Sequence, residues 1–598
     1  MMKKFLLIVC GSFVGTTLAL VVFMLMSIVF SIAMMSMGDS MGKTSASVQK
    51  NSILHLKLEG EIAEREGGGD MSMLAMLQGQ NTSSMGLNTL IAAIGKAKTD
   101  KKIEGIYIEC EGAAAAPATR QTLRNALKDF KKSGKWIYAY GNESIGQGDY
   151  YLASVADSIF INPVGAVDVH GMASSIPYYK KVLDKVGVEM QVIRVGTFKS
   201  AVEPYMLEDM SDANKLQIEH YMGSIWHNMR DSMAADRKID VARFDQMTDS
   251  ILVCMEPDSL VKNKIVDGLC YPVEMEARLK ALTKLGKDDD LRLVDPADYA
   301  TAVEESVSGD HIAVLYAVGE IVQQGSNNPM SDLDAIVGEK MVKQIKELQD
   351  DENVKGMVLR VNSPGGSAFA SEQIWKALED FKASGKPLAV SMGDYAASGG
   401  YYISSGAQRV FAEPTTITGS IGIFGIIPCY EELAENKIGV HMAVVKTNEN
   451  ADMGVMTKRL TPAQKNALQR MVNSGYDLFT KRCAQGRHVT QDSIKKIAEG
   501  RVWDGMTALK IGLVDELGNL QAAIDWVAKK ANMKKDFKTQ NYPALSTDWR
   551  SMLNKMMVMQ YEMKLQGEMG MLYEWHKQLQ QIGQRDHILC LMPETVIY

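Results

Sequence analysis

Hydrophobic positions are unevenly distributed along this chain, and the longest uninterrupted run lies at the N-terminus. No charged residue occurs from Phe5 to Gly38, and about 20 apolar residues suffice for a helix to cross the roughly 30 Å hydrocarbon layer of a membrane. Lys3 and Lys4 precede the run and favour a cytoplasmic N-terminus. The pattern predicts a membrane anchor over residues 1–40. A cleaved signal peptide is the alternative, but its apolar core usually spans only about 7–15 residues.

After this run, short apolar stretches alternate with amphipathic ones. Runs rich in β-branched residues predict strands, and apolar residues at helical spacing predict helices between them. Strands are predicted at Ile312–Ala317, Gly356–Val361, Leu388–Met392 and Val410–Ala412, with helices at Ser371–Phe381 and from Pro462 to about Cys483. Strands that alternate with helices indicate βαβ units, so the predicted fold class is α/β with a mostly parallel sheet.

This pattern occurs twice along the chain. The stretch ALKDFKKSGK at Ala126–Lys135 returns as ALEDFKASGK at Ala377–Lys386, 251 residues later (377 − 126). The same offset relates Tyr150 to Tyr401. A unit of this length is far longer than a solenoid repeat, so the offset indicates two tandem copies of one domain.

Composition agrees with this division. The chain has 598 residues, of which 46% are hydrophobic and 23% charged, as in ordinary globular proteins. We predict the anchor at 1–40, an N-terminal repeat at 50–300, a C-terminal repeat at 301–545 and a Met-rich helical tail at 546–598. The net charge of −7 argues against a general nucleic-acid binder. Seven cysteines are too few for a disulfide scaffold.

Two segments of small residues are candidates for chemistry. The segment AASGG at 396–400 follows a predicted strand and precedes a predicted helix. A serine in such a turn is sterically open, and the N–H groups at the helix start can stabilise an oxyanion. The segment NSPGGS at 362–367 follows the neighbouring strand, and its glycines let the backbone approach a ligand. Close packing is the alternative for the first segment, and a tight turn for the second.

The repeat distinguishes the two copies. At the offset of 251, Ser398 faces Gln147, so the N-terminal copy lacks this candidate nucleophile. Lys199 is unmatched as well, because Asn450 stands opposite it. One copy therefore holds the serine and the other an extra lysine, which is what a composite site between the copies would require. A solvated surface lysine is the alternative explanation of Lys199.

A serine nucleophile needs a base that takes its proton. Nine histidines are present, but none stands in a recognisable triad motif. A buried lysine is a known substitute, because burial favours the neutral amine. The sequence has no Cys-x-x-Cys or His-Glu-x-x-His motif that would indicate zinc. A G-x-S-x-G match at 38–42 has no preceding strand, so it does not fit a nucleophile elbow.

At these residues the chain resembles the signal peptide peptidase A (protease IV) group of peptidase family S49, in its long tandem-repeat bacterial form. The motifs that carry the resemblance are VGTFKSAVEP at 195–204, RVNSPGGS at 360–367, SMGDYAASGGY at 391–401 and TGSIGIFG at 418–425. The resemblance extends from the N-terminal run to about residue 535.

The resemblance implies two tandem crotonase/ClpP-like domains and a serine peptidase. By resemblance, Ser398 is the nucleophile, Lys199 is the general base, and Ser420 orients the lysine. The N–H groups of Gly365 and Gly399 are implied to form the oxyanion hole. The resemblance further implies a homotetramer on the outer face of the bacterial inner membrane, with the N-terminus cytoplasmic. Its substrates would be cleaved signal peptides and other hydrophobic peptides, and no metal, organic cofactor or nucleic acid is expected.

Two other functions remain open at this point. A crotonase-like frame also supports acyl-CoA chemistry, because paired N–H groups bind a thioester oxyanion equally well. A location outside the cytoplasm disfavours that function, since acyl-CoA is a cytoplasmic metabolite. The other possibility is a non-catalytic membrane scaffold, and the presence of both Ser398 and Lys199 argues against it.

Overall fold

The structure is a computed structural model that describes residues 48–65, 85–300, 308–325, 335–534, 537–544, 588–592 and 596–597. The predicted anchor at 1–40 lies outside the described residues, as does most of the predicted tail. Among the helices that are described, none is both long enough and apolar enough to cross a membrane.

The N-terminal repeat is a parallel sheet flanked by helices. Its strands are β1 (Ser52–Leu58), β2 (Ile62–Ala63), β3 (Met85–Gly86), β4 (Ile103–Cys110), β5 (Trp136–Gly141), β6 (Ser144–Gly146), β7 (Ser158–Ile161), β8 (Ala166–Asp168), β9 (Ser174–Ser175), β10 (Glu189–Arg194), β11 (Gly268–Leu269) and β12 (Leu293–Val294). Its helices are α1 (Leu87–Thr99), α2 (Pro117–Lys131), α3 (Gln147–Ala153), α4 (Lys180–Val186), α5 (Glu203–Met206), α6 (Asp212–Arg237), α7 (Val241–Asp249), α8 (Pro257–Lys262), α9 (Pro272–Leu282) and α10 (Pro296–Ala300). The main sheet has the order β11-β7-β5-β4-β1-β12, and all its neighbours are parallel.

The C-terminal repeat has the same plan. Its strands are β13 (His311–Val318), β14 (Glu320–Val322), β15 (Ala335–Val337), β16 (Val354–Ser363), β17 (Gly365–Ser367), β18 (Leu388–Ala397), β19 (Arg409–Ala412), β20 (Ile417–Gly419), β21 (Phe424–Cys429), β22 (Val502–Asp504), β23 (Glu516–Leu517) and β24 (Lys538–Tyr542), and the chain end adds β25 (Ile588–Leu591) and β26 (Val596–Ile597). Its helices are α11 (Gly338–Asp350), α12 (Ala368–Ala383), α13 (Gly399–Ser404), α14 (Pro462–Arg487), α15 (Gln491–Ile497), α16 (Gly505–Lys510) and α17 (Leu520–Lys530). The main sheet has the order β22-β20-β18-β16-β13-β24.

The predicted α/β class is confirmed, and so are the predicted strands of the C-terminal repeat, each with somewhat longer bounds. Strands β13, β16 and β18 are buried along almost their whole length. Their side chains pack against α11 and α12 on one face and against α17 on the other. Parallel sheets covered on both faces need such nearly continuous apolar runs.

The offset of 251 also relates whole elements of the two copies. It carries β4 onto β16, α2 onto α12 and β7 onto β19. Helix α3 maps onto residues 398–404, so Gln147 stands where the C-terminal copy has Ser398. The tandem repeat seen in the sequence is therefore a repeat of structure.

A third sheet combines strands from distant parts of the chain. Its order is β10-β21-β25-β17-β14-β15, so it joins a strand of the N-terminal repeat, strands of the C-terminal repeat and the chain end. The structure differs here from one alternative that the sequence left open and from one sequence prediction. The glycine segment at Gly365–Ser367 is a strand rather than a tight turn. The described part of the tail, Ile588–Leu591, is also a strand rather than a helix.

Candidate active site

Ser398 lies at the junction of strand β18 and helix α13, as the sequence predicts. The strand ends at Ala397 and the helix begins at Gly399, so a single residue makes the turn. Ser398 has φ 55° and ψ −112°, a conformation that costs free energy for a residue with a Cβ atom. Its N–H donates to the carbonyl oxygen of Gly419 at 2.8 Å, which fixes the turn. Strained backbone of this kind is concentrated at functional sites.

Lys199 reaches Ser398 from the N-terminal repeat. Its side chain is fully buried, and its Nζ lies 2.8 Å from Ser398 Oγ. The same Nζ lies 3.0 Å from Ser420 Oγ and 3.1 Å from the Ser420 carbonyl oxygen. A neutral amine has one lone pair and two N–H groups. These three contacts therefore fit an amine that accepts the Ser398 hydroxyl proton and donates twice to Ser420.

Burial determines the protonation of Lys199. Desolvation lowers the pKa of this lysine from 10.5 to about 7, because removal from water disfavours the ammonium form. Cys590 would raise the lysine pKa only as a thiolate, and more weakly than burial lowers it. Burial raises the pKa of Cys590 itself to about 12, so this thiol stays neutral near pH 7. The described partners of Nζ are hydroxyl and carbonyl oxygens rather than carboxylates, and the lysine can lose its proton near neutral pH.

Ser420 is held in place by its backbone. It follows strand β20 with φ 50°, and its N–H donates to the carbonyl oxygen of Arg501 at 2.7 Å. Its side chain is fully buried. The fixed backbone presents both oxygens of Ser420 to Lys199, so the structure brings the three predicted side chains together.

Gly365 and Gly399 lie against each other beside Ser398. Gly365 has φ 106°, and a Cβ atom added to it would lie 2.7 Å from the Gly399 nitrogen. A side chain at Gly365 would therefore displace the start of α13. The N–H of Gly365 donates to Ser363 Oγ at 3.2 Å. The carbonyl oxygen of Cys590 lies on the same two glycines, 2.1 Å from a Cβ added to Gly365 and 3.2 Å from one added to Gly399.

Sequence reasoning missed the residues that position Lys199. Gln217 on α6 donates from Nε2 to Ser200 Oγ at 2.8 Å, and its Oε1 accepts from the Val502 N–H at 3.1 Å. Gly500 has φ 78°, and a Cβ added there would lie 2.6 Å from Lys199 Cβ. A buried glutamine on a long helix has no distinctive local sequence pattern. Gly500 is a separate case, since a glycine between Glu499 and Arg501 is a visible mark of a turn.

Histidines, metal-binding clusters and disulfides are the other features that bear on the chemistry near Ser398. In the part of the chain that the structure describes, the Ser398 hydroxyl is bonded to Lys199 and not to a histidine. Within those same ranges, no cluster of histidine, cysteine or carboxylate side chains is arranged to hold a metal ion. The six cysteines found there are free thiols.

The family model named peptidase family S49 matches residues 129–286 and 380–534, one segment in each repeat and just over half of the chain. The chain belongs to peptidase family S49. The Clp protease model matches residues 317–417 of this S49 peptidase, which confirms the predicted ClpP-like domain in the C-terminal repeat.

Curated relatives of this S49 peptidase are similar over most of its length. Protease 4 of Haemophilus influenzae is 35% identical over 86% of this chain and 84% of its own. Protease 4 of Salmonella typhi is 39% identical over 74% of this chain and 72% of its own. The chloroplastic serine protease SPPA of Arabidopsis thaliana is 29% identical over 81% and 70%. These relatives confirm the resemblance that the motifs predict, and the chain is a serine protease of this family.

Proposed function

We propose that this S49 peptidase is an endopeptidase in which Ser398 is the nucleophile and Lys199 the general base. The observation that carries the proposal is the 2.8 Å separation of Ser398 Oγ and Lys199 Nζ, which is hydrogen-bond reach for a nucleophile and its base. The lowered pKa of Lys199 supports the same assignment, because a base must be unprotonated at the working pH.

The reaction follows from these contacts. Lys199 takes the Ser398 hydroxyl proton while Oγ bonds to the carbonyl carbon of the substrate, and the carbonyl electron pair moves onto oxygen. The N–H groups of Gly399 and Gly365 stabilise that oxyanion, and Gly365 gives up its long bond to Ser363 in doing so. The lysine ammonium then donates its proton to the leaving amine as the C–N bond breaks. Water repeats the sequence on the acyl-enzyme and releases the second product.

The surroundings of Ser398 favour an extended peptide as substrate. Strands β17 and β21 border a gap that is one strand wide and that β25 fills. We call this gap between Gly365–Ser367 and Phe424–Cys429 the slot. Its two strand edges provide backbone donors and acceptors along a peptide. The wall of this slot is apolar and includes Val202, Phe424 and Ile426. We therefore propose hydrophobic peptides, including cleaved signal peptides, as substrates. An acyl-CoA thioester would make little use of two strand edges, so we do not favour that alternative.

The proposal includes the location and assembly expected from the sequence. Residues 1–40 would anchor the enzyme in the inner membrane, the 50–300 repeat would supply the lysine and the 301–545 repeat the serine. Alkaline carbonate extraction of the full chain and of residues 41–598 tests the anchor, since only the full chain should stay with the membrane. Mass measurement in detergent tests the homotetramer, and a monomer would contradict it.

The assignment of Ser398 is tested by Ser398→Ala, with Gln147→Ala as the matched control at the equivalent position. Both proteins are assayed for hydrolysis of a quenched hydrophobic peptide and for covalent labelling by a fluorophosphonate. We expect Ser398→Ala to lose both activities and Gln147→Ala to keep both. Full hydrolysis by Ser398→Ala, or labelling of another residue, would overturn the assignment. Loss of both activities with the fold intact excludes a non-catalytic scaffold, because a scaffold has no activity to lose.

A further inference from the structure

The chain end fills the position that a substrate would occupy. Strand β25 (Ile588–Leu591) pairs antiparallel with β17 on one side and with β21 on the other. Without β25, both of these strands would present an unpaired edge to the slot, and unpaired edges recruit an extended chain. The partner that the structure places there is the protein's own C-terminal segment.

The side chains of this segment alternate between two apolar surroundings. Cys590 is completely buried and joins the core of the C-terminal repeat, where Tyr402 and Cys483 also pack. Leu589 and Leu591 point to the opposite side and pack with the slot wall that includes Phe424. Alternation of this kind is how a bound strand fills separate pockets on its two faces.

The register brings one peptide bond to the catalytic groups. Cys590 pairs with Gly366, and its carbonyl oxygen lies on Gly365 and Gly399. The following residue continues along the same edge, because the Met592 N–H donates to the Pro364 carbonyl oxygen at 2.9 Å. The carbonyl group of Cys590 therefore lies beside the two glycines whose N–H groups the proposed mechanism assigns to the oxyanion hole.

We infer that the C-terminal strand β25 is an intramolecular competitor that occupies the substrate slot and must leave before a peptide can bind. This inference rests on the proposed function, because it identifies the slot with the place where substrate binds. The inference also assigns side-chain preferences. The site taken by Cys590 accepts a small apolar side chain, and the sites taken by Leu589 and Leu591 accept larger ones.

The test uses binding rather than turnover, so that cleavage of the chain end cannot obscure the result. Full-length Ser398→Ala is compared with Ser398→Ala ending at residue 587, using a fluorescent peptide of sequence ILCLM. We expect the shortened protein to bind this peptide at least tenfold more tightly. Equal dissociation constants would overturn the inference. If the shortened protein fails to fold, Leu591→Asp in the full-length Ser398→Ala protein provides the same comparison.

Val445→Asp is the matched control for Leu591→Asp, because Val445 is 99% exposed and belongs to none of the strands β17, β21 and β25. It should leave peptide binding unchanged, whereas Leu591→Asp should strengthen it. A second measurement adds a synthetic peptide of residues 588–598 to the active enzyme that ends at 587. We expect competitive inhibition of hydrolysis, and its absence would contradict the inference.

The two proposals fail in different ways. If the shortened enzyme with Ser398 intact neither hydrolyses peptides nor reacts with a fluorophosphonate, the proposed function is wrong. If it does both, but no faster than the full chain and with no effect of the added peptide, only the inference about the chain end is wrong.

Discussion

The two repeats share a frame and differ at the position of the proposed nucleophile. In the C-terminal repeat, Ser398 and Gly399 begin a helix that faces Lys199 and the Cys590 carbonyl group. In the N-terminal repeat the equivalent helix begins at Gln147. The Gln147 Oε1 accepts hydrogen bonds from the backbone N–H groups of His170 and Gly171 at 3.1 and 2.9 Å. At this position the N-terminal copy has a side chain that accepts backbone hydrogen bonds, and the C-terminal copy has the serine that we propose as nucleophile.

An ion pair fills the rest of the N-terminal site. Arg120 donates to the carbonyl oxygens of Ala113 and Ala115 at 2.7 and 2.9 Å and lies against Gly148, the counterpart of Gly399. Its guanidinium pairs with Asp149 at 3.4 Å. In the C-terminal copy the edge of β17 pairs with strand β25. In the N-terminal copy Arg120 therefore closes the equivalent edge. The N-terminal copy has internal hydrogen bonds where the C-terminal copy has its slot, and it places Lys199 beside Ser398 of that copy.

The largest effect is expected when Lys199, which the N-terminal repeat supplies, is replaced. Lys199→Met keeps an unbranched side chain but has no base, so we expect kcat to fall by about 1,000-fold or more, as when a catalytic base is removed. The free energy of unfolding should stay the same or rise, because folding no longer has to remove the proton from a lysine whose ordinary pKa is 10.5. Peptide hydrolysis and urea unfolding measure the two quantities. Lys181→Met, at a lysine 72% exposed, is the control that should change neither.

A substitution of Arg120 in the N-terminal copy should affect stability and not catalysis. Arg120→Met leaves Asp149, whose side chain is 2% exposed, without its cation. An unpaired buried charge costs about 3 kcal/mol. We expect a loss of that order in the free energy of unfolding, measured with urea, and unchanged hydrolysis per folded molecule. Adding Asp149→Asn removes the stranded charge and should restore part of the stability. A variant that unfolds normally but hydrolyses peptides slowly would show that the two copies do not divide these roles.

The pH profile should report the titration of Lys199. In the proposed mechanism the neutral amine is the base, so activity should be full above the lysine pKa of about 7 and should be lost as protonation increases below it. We expect kcat/KM to fall about tenfold per pH unit below that value, or about 100-fold at pH 5. Hydrolysis and the rate of fluorophosphonate labelling should follow the same curve. A profile that is flat from pH 5 to 9 would exclude a lysine with this pKa as the base.

The sequence predicted the elements that depend on local rules. The strand-to-helix turn at Ser398, the glycines and the unmatched Lys199 all follow from residue types and the internal offset, and the structure brings them within contact. The strand β25 was not predicted, because its partners β17 and β21 are more than 150 residues away in the chain. Pairing across that distance leaves no periodic pattern. The apolar run ILCLM after a polar stretch was the one local sign that residues 589–592 are buried.

The smallest effect is expected at Ser420, where the N-terminal copy has Val169 at the equivalent position. Ser420→Ala removes one of the two oxygens that hold the Lys199 amine, and the Ser420 carbonyl oxygen remains as the other. The lone pair of the amine is then less firmly directed at Ser398, so we expect the plateau of kcat to fall about tenfold. The ammonium form also loses an acceptor, so the midpoint of the pH profile should move to lower pH. A merely structural role would lower stability and leave the midpoint unchanged, and that result would remove Ser420 from the catalytic arrangement.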